Sequence, residues 1–160
     1  MGTMQRLASR AFTLVEILIV VVILGILAAI VVPQFLNATD ESRRAAFVSE
    51  LQVFVGAAEV YAAREGSWVP DGSSGSCPNE FRDYIDDDDF ESGTPLGGVW
   101  DFEQDDSGVT SALGVHFNNA DEAKDDAYMT LVDELFDDGD LGTGIFQKLE
   151  NNRYYAIIEK

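Results

Sequence analysis

The chain has 160 residues, of which 29 are acidic and 10 basic, and its formal net charge at pH 7 is −19. This length allows one modest domain in addition to a membrane-crossing helix, and excludes two full domains. A surface this acidic makes nucleic acid and anionic lipid poor partners, whereas divalent cations and basic proteins suit it. The single cysteine, Cys77, excludes an intramolecular disulfide.

The first predicted element is an apolar helix from Phe12 to Val32, which carries one charge, that of Glu16. At about 1.5 Å per residue this helix would run roughly 31 Å, close to the hydrocarbon thickness of a bilayer. The run is longer than a secretory signal core, so we predict that it is retained, with Arg6 and Arg10 holding its N-terminus in the cytoplasm. A carboxylate inside the bilayer is costly, so Glu16 either finds a partner or reaches the headgroups.

The helical pattern continues beyond Pro33 to about Glu65. Pro33 lacks an amide hydrogen and is expected to loosen the helix without ending it. Apolar residues then recur at spacings of 4, 3, 4 and 3, which indicates an amphipathic helix with one buried stripe: Phe47, Leu51, Phe54, Ala58 and Tyr61. Gly66 is the predicted end.

The rest of the chain predicts a loop and a small α+β unit. The stretch 67–95 is rich in Gly, Ser, Pro and Asp and is interpreted as loop, with a short helix at 79–85 and the acidic run Asp86–Asp89 solvated. The predicted elements that follow are a strand at 98–103, a turn at 105–108, a strand at 111–117, a helix at 121–136 capped by Asp121, and a final strand at 154–158. We therefore predict the α+β class, with the long helix packed on a small antiparallel sheet.

The N-terminal residues resemble those of a known family. A basic leader ends at Ala11, the motif Phe12-Thr13-Leu14-Val15-Glu16 follows, and an unbroken apolar run closes at Pro33. This pattern resembles the cleavage and methylation segment of type IV prepilins and of type II secretion pseudopilins. The resemblance implies that a prepilin peptidase cuts between Ala11 and Phe12 and methylates the new amine. The family usually has glycine before the cut, and Ala11 keeps a small side chain there.

The resemblance also implies a domain layout and an assembly role. The layout is a leader at 1–11, a transmembrane and assembly helix at 12–32, an amphipathic half at 33–66 and an extracytoplasmic head at 67–160. Because all 29 acids follow the leader and two arginines lie within it, cleavage changes the formal charge to −21. In the family, the carboxylate at the position of Glu16 is thought to meet the methylated amine at the position of Phe12 on an adjacent subunit.

One loop has the composition of a metal site. Asp137, Asp138 and Asp140 alternate with glycines, and such carboxylates can surround Ca²⁺, although the spacing is not that of an EF-hand. A solvated turn after a helix is the alternative. The pseudopilin resemblance implies a calcium-stabilised loop in this region, where many pilins use a disulfide.

No catalytic constellation is visible in the sequence. The single histidine, His116, lies in a predicted strand and is interpreted as structural. We therefore expect a structural subunit of a pilus-like filament or a secretion pseudopilus, anchored in the inner membrane by lipid contacts before assembly and served by the prepilin peptidase and inner-membrane machinery. The sequence does not distinguish among a pilus, a pseudopilus and a DNA-uptake filament. The alternative is a monomeric, membrane-anchored, extracytoplasmic binding domain with an acidic surface; an enzyme ranks third.

Overall fold

The computed structural model describes residues 12–106, 108–119 and 121–160. The chain divides into two compact units, of which the first ends at Asp40 and the second runs from Glu41 to Lys160. Helix α1, Leu14–Glu65, contributes residues to both units. The predicted leader lies outside the described residues, and the four-part division of the chain stays a prediction.

In the first unit, α1 presents its apolar side chains outward. More than half of each large apolar side chain from Leu14 to Val32 is exposed. The helix runs through Pro33 without ending, as predicted. Within the described part of the chain, α1 is the one helix long and apolar enough to cross a membrane.

Helix α1 ends at Glu65 and Gly66 follows it, as predicted. Gly66 has a φ of 73°, in the left-handed region, and its amide donates to the carbonyl of Ala62 at 2.9 Å. Glycine reaches this conformation without the steric cost that a Cβ would add, and its amide satisfies one of the carbonyls left open at a helix end.

The second unit contains a four-stranded sheet in the order β1-β2-β4-β3, with every neighbouring pair antiparallel. The strands are β1 Val99–Asp106, β2 Val109–His116, β3 Phe146–Glu150 and β4 Arg153–Glu159. The predicted hairpin and the predicted final strand are confirmed. Strand β3 is an addition, because its short segment buries only Phe146 fully and so shows no clear alternation.

The buried stripe of α1 packs on one face of this sheet. All five residues of the predicted stripe are buried. The ring of Phe47 stacks on Trp100 with centroids 5.1 Å apart, and Phe54 meets Trp100 edge-on at the same distance. Because the helix stripe and the inner sheet face each bury the other, the predicted α+β class is confirmed.

Two predicted elements between α1 and β1 need correction. The acidic run is helical, since α2 is Asp87–Glu91, with Asp86 as its N-cap accepting from the amide of Asp88 at 3.1 Å. Phe90 is buried and anchors this short helix in the core. The predicted helix at 79–85 is only a 3₁₀ turn, Asn79–Phe81. Cys77, beside this turn, is a free thiol that is 3% exposed.

Helix α3 is Asp126–Phe136, shorter than predicted. Its N-cap is Asp125, not Asp121, because the Asp125 carboxylate accepts from the amide of Tyr128 at 2.8 Å. Its apolar residues lie on more than one face of the helix, and the head buries only some of them. Leu131 and Leu135 are 43% and 52% exposed, whereas the residues that the helix buries are Met129, Val132 and Asp133.

Candidate functional site

The N-terminal turn of α1 holds the predicted assembly carboxylate. The Oε2 atom of Glu16 accepts hydrogen bonds from the backbone amide and the hydroxyl of Thr13, both at 2.8 Å. In return, the Thr13 hydroxyl accepts from the amide of Glu16 at 3.2 Å. This reciprocal pair is a capping box, which satisfies two amides that a helix start leaves open. The Thr-x-x-Glu spacing was the sequence signal for it.

This turn leaves Glu16 able to bind a cation. Both hydrogen bonds are accepted by one carboxylate oxygen, Oε2. The other oxygen is therefore held in a fixed orientation and can still accept a bond from a cation. Phe12 precedes the turn and is 77% exposed. Ala11, the other residue of the predicted cleavage site, lies outside the described residues. Pro33 lies within α1, in the first unit.

The second candidate site is a cluster of three carboxylates at the end of α3. Asp133, Asp137 and Asp138 each offer an oxygen, and these oxygens lie within 4.8 Å of one another. Asp133 is 0% exposed, and neither of its carboxylate oxygens has a hydrogen-bond partner. A buried carboxylate without a hydrogen-bond partner is costly unless a proton or a cation compensates its charge. Sequence reasoning missed Asp133, because no apolar pattern indicates a buried acid.

The loop after α3 holds the predicted metal residues in different ways. Asp138 accepts from the Asp140 amide at 2.9 Å and from the Thr143 hydroxyl at 3.0 Å, and Asp137 accepts from the amide of Ile145. Asp140 instead accepts from the Gly142 amide at 3.0 Å and is not one of the three clustered carboxylates. The structure therefore brings Asp137 and Asp138 together with Asp133 rather than with Asp140.

The burial of Asp133 and its closeness to two other carboxylates shift its pKa. Burial, then the carboxylates of Asp138 and Asp137, raise the pKa of Asp133 to about 6. The amides of Gly139 and Asp140 oppose this rise without reaching hydrogen-bonding geometry. A Cβ on Gly144 would press against the carboxylates of Asp137 and Asp138, so only glycine leaves this room. Three hard oxygen donors around a tight loop fit Ca²⁺ better than they fit a softer metal.

The outer face of the sheet carries a buried polar network. Tyr155 donates to Asp101 at 2.7 Å, and Arg153 pairs with Glu103 at 2.7 Å. His116 Nδ1 lies 3.0 Å from the Ser74 hydroxyl and 3.7 Å from Asp101. Burial and the nearby Arg153 lower the pKa of His116.

Ser74, His116 and Asp101 do not form a nucleophilic triad. In such a triad the serine and the carboxylate bind different imidazole nitrogens, so that a proton can pass from one side to the other. Here both contacts are made to Nδ1. The structural role of His116 stays a prediction.

Comparisons with known proteins support the sequence resemblance. Residues 6–32 match the family model described as a prokaryotic N-terminal methylation motif. The type II secretion system core protein G of Pseudomonas aeruginosa is 43% identical over 58 residues, which is 36% of this chain and 41% of that protein. Its counterpart in Klebsiella michiganensis is 36% identical over 52% of this chain and 64% of that protein. The chain thus spans less than two thirds of these two relatives.

A pilus protein matches more of its own length. The type IV narrow pilus major component PilA5 of Thermus thermophilus is 33% identical over 92 residues, which cover 58% of this chain and 69% of that protein. No solved structure matches the chain. Taken with the capped apolar helix and the sheet that packs on its second half, these matches show that the chain belongs to the family of type IV pilins and type II secretion pseudopilins.

Proposed function

We propose that this protein is a structural subunit of a filament of the type IV pilus or type II secretion pseudopilus kind. The observation that carries the proposal is the methylation motif at residues 6–32, which lies on a helix whose large apolar side chains from Leu14 to Val32 are exposed in the described chain. Such a surface needs lipid before assembly and other helices afterwards. The relatives named above are two secretion core proteins and one pilus component, and they support both kinds of filament.

The proposed cycle follows from the chemistry of the N-terminus. The apolar half of α1 anchors the subunit in the inner membrane, with the head outside the cytoplasm. Cleavage between Ala11 and Phe12 by a prepilin peptidase creates an amine that did not exist before. The oriented carboxylate of Glu16 then pairs with that amine on an adjacent subunit, because a buried anion needs a cation.

The proposed role is structural and not catalytic. The relatives are named as a pilus component and as secretion core proteins. The Ser74, His116 and Asp101 contacts do not provide a proton path, as described above. The acidic surface, which would carry a formal charge of −21 after cleavage, argues against direct binding of nucleic acid.

The proposal is tested on membrane-extracted protein and on filaments sheared from cells. We expect mass spectrometry to find a mature N-terminus at Phe12 carrying one methyl group. Glu16→Ala should leave insertion and cleavage intact and abolish filaments, whereas Glu59→Ala, at an exposed site in the second unit, should assemble normally. An uncleaved protein in which Glu16 is freely replaceable would instead support the monomeric, membrane-anchored binding domain.

We also propose that the cluster of Asp133, Asp137 and Asp138 holds Ca²⁺. The support is the buried, unpartnered Asp133 carboxylate together with the two exposed acids that face it. A bound Ca²⁺ would offset two of the three negative charges and stabilise the loop, which has no disulfide to close it. A calcium-stabilised loop would also favour the pseudopilus over the motile pilus.

Calcium binding is tested by thermal unfolding with and without the metal. We expect Ca²⁺ at about 100 times its dissociation constant to stabilise the wild type by about 2.7 kcal/mol, and Mg²⁺ to do much less. Asp133→Asn should remove the calcium effect, while the matched Asp88→Asn, in α2, should retain it. An equal response of the wild type and Asp133→Asn would contradict the site.

A further inference from the structure

A groove in the second unit lies beside α1 and has no assigned role. It is a cleft of about 490 Å³, lined by Glu50, Val53 and Phe54 of α1, by Asp89 of α2, and by the loop at 92–95. All of these residues lie within the second unit. The cleft therefore belongs to the head and not to the membrane-crossing part of the chain.

The two carboxylates of this groove lack a counter-charge. Across the described ranges, the ion pairs involve neither Glu50 nor Asp89. Burial, and secondarily the Asp89 carboxylate, raise the pKa of Glu50. A cation in the groove would relieve the repulsion on the Glu50 carboxylate and would interact with both acids, which a single surface acid does not offer.

The apolar lining decides what kind of cation fits. Val53 is 63% exposed beside the two acids, and the wall is completed by a proline and a glycine, Pro95 and Gly93. A bare metal ion has no apolar surface to pack against this wall. The methylene stem of a lysine or arginine covers apolar area while its charged end meets a carboxylate.

The chain itself carries suitable side chains. Of the eight bases from residue 12 onward, Arg82, Lys148 and Arg153 form ion pairs with carboxylates. The other five form none within the described residues: Arg43, Arg44, Arg64, Lys124 and Lys160. Arg44 and Lys124 lie over the ring of Tyr128, and Arg64 lies over that of Tyr84, where a guanidinium or ammonium stays available to a second partner.

We infer that this groove receives a basic side chain from a second copy of the chain, and the inference rests on the proposed filament. Copies with a formal charge of −21 repel one another over most of their surfaces. Between such surfaces, a contact in which an unpaired base meets a concave acidic site is electrostatically favourable. The groove is such a site, and it would help to fix how neighbouring heads are aligned.

The first test compares two charge-matched double variants in cells with the intact export machinery. Glu50→Gln/Asp89→Asn removes both groove charges. Glu59→Gln/Asp88→Asn removes the same number from exposed positions on the same two helices outside the groove. We expect the groove variant to lose about tenfold or more in sheared, sedimentable filament, and the control variant to match the wild type. Equal assembly of the two variants would overturn the inference.

A second measurement keeps the wild-type charges and so does not depend on how the variants fold. A benzophenone side chain replacing Val53 is photoactivated in assembled filaments, and the cross-linked peptides are mapped by mass spectrometry. We expect a dimer of this chain joined to a segment that holds one of the five unpaired bases. Cross-links only to a different protein, or only to segments without such a base, would overturn the inference.

The two proposals fail in different ways. If neither the wild type nor Glu59→Gln/Asp88→Asn forms filaments, the proposed function fails, and the inference fails with it. If both form filaments and the groove variant does so equally well, only the inference fails.

Discussion

At the scale of single residues, the polar groups of the head are held by specific partners. Tyr155 and Asp101 are both buried and joined by a 2.7 Å hydrogen bond, which satisfies each of them. His116 borders this pair and contacts Ser74 through Nδ1. The groups that face its ring therefore influence its protonation.

His116 gives a prediction about pH. Burial and Arg153 lower its pKa in the folded state, although Asp101 and Glu150 oppose the shift. Well above pH 6.5 the imidazole is neutral in both states and contributes nothing to the pH dependence. As the pH falls below 6.5, the unfolded chain takes up the proton first, so the folded state loses stability. Protonation of Asp133, whose pKa is raised to about 6, acts in the opposite direction over the same range. We therefore expect the loss due to His116 to appear in urea unfolding, between about pH 7 and pH 5.5, as a difference between the wild type and a variant that lacks the imidazole.

The control for this prediction is His116→Asn, measured under the same conditions in the presence of chelator. This variant keeps a polar group near Ser74 but does not titrate. Its free energy of unfolding should fall less steeply with decreasing pH than that of the wild type. Parallel curves for the two proteins would contradict the prediction.

Residue-level roles were the least predictable from the sequence. The motif around Glu16 was recognisable, and its Thr-x-x-Glu spacing also encodes the capping box, which is a local property. Asp133 was not predictable, because its burial depends on how α3 docks, and apolar periodicity counts an acid as exposed. The cluster combines Asp133 of α3 with Asp137 and Asp138 of the following loop, and the sequence indicated only the loop residues.

At the scale of elements, the contact between α1 and the sheet stabilises the head. Phe47 is 0% exposed, stacks on Trp100 at 5.1 Å and meets Phe146 edge-on at 6.3 Å. Aromatic pairs of this kind add stability beyond the area that they bury. The helix is thus held to β1 and β3 through one ring.

Removing that ring should be costly. We expect Phe47→Ala to lower the free energy of unfolding by about 3–5 kcal/mol, because it leaves a cavity between α1 and the sheet. Val53→Ala, at a site 63% exposed on the same helix, should change it by less than about 0.5 kcal/mol. Denaturant unfolding followed by tryptophan fluorescence measures both, and similar losses in the two variants would show that the contact is misassigned.

Long amphipathic elements were predictable, and short ones were not. The spacing in α1 identified its buried stripe correctly, since many helical turns repeat the same signal. In α3, two overlapping apolar sets compete, and the contacts in the folded head bury Met129 and Val132 instead of Leu131. Strand β3 was missed because five residues with one fully buried side chain carry little periodic signal.

At the scale of the whole molecule, charge is the dominant feature. The described part of the chain begins at Phe12, and from there 29 acids face eight bases. Three of those bases are already paired with neighbouring carboxylates. Much of the remaining negative charge is therefore balanced only by the solvent, and it opposes the compact state.

Salt should therefore stabilise the detergent-solubilised protein. Raising NaCl from 10 to 150 mM shortens the screening length from about 30 Å to about 8 Å, which weakens repulsion between distant acids. We expect the Tm to rise by a few degrees with chelator present, and KCl to act like NaCl. A fall in Tm would mean that the pairs made by Arg82, Lys148 and Arg153 outweigh the net repulsion.

The buried position of Cys77 has a practical consequence for studying assembly. Its thiol is 3% exposed, and burial, which is the largest effect on it, raises its pKa, so little reactive thiolate is present at neutral pH. A maleimide dye should consequently react with a cysteine introduced at the surface and not with the thiol of Cys77. Filament growth on living cells could then be followed by fluorescence without first removing Cys77.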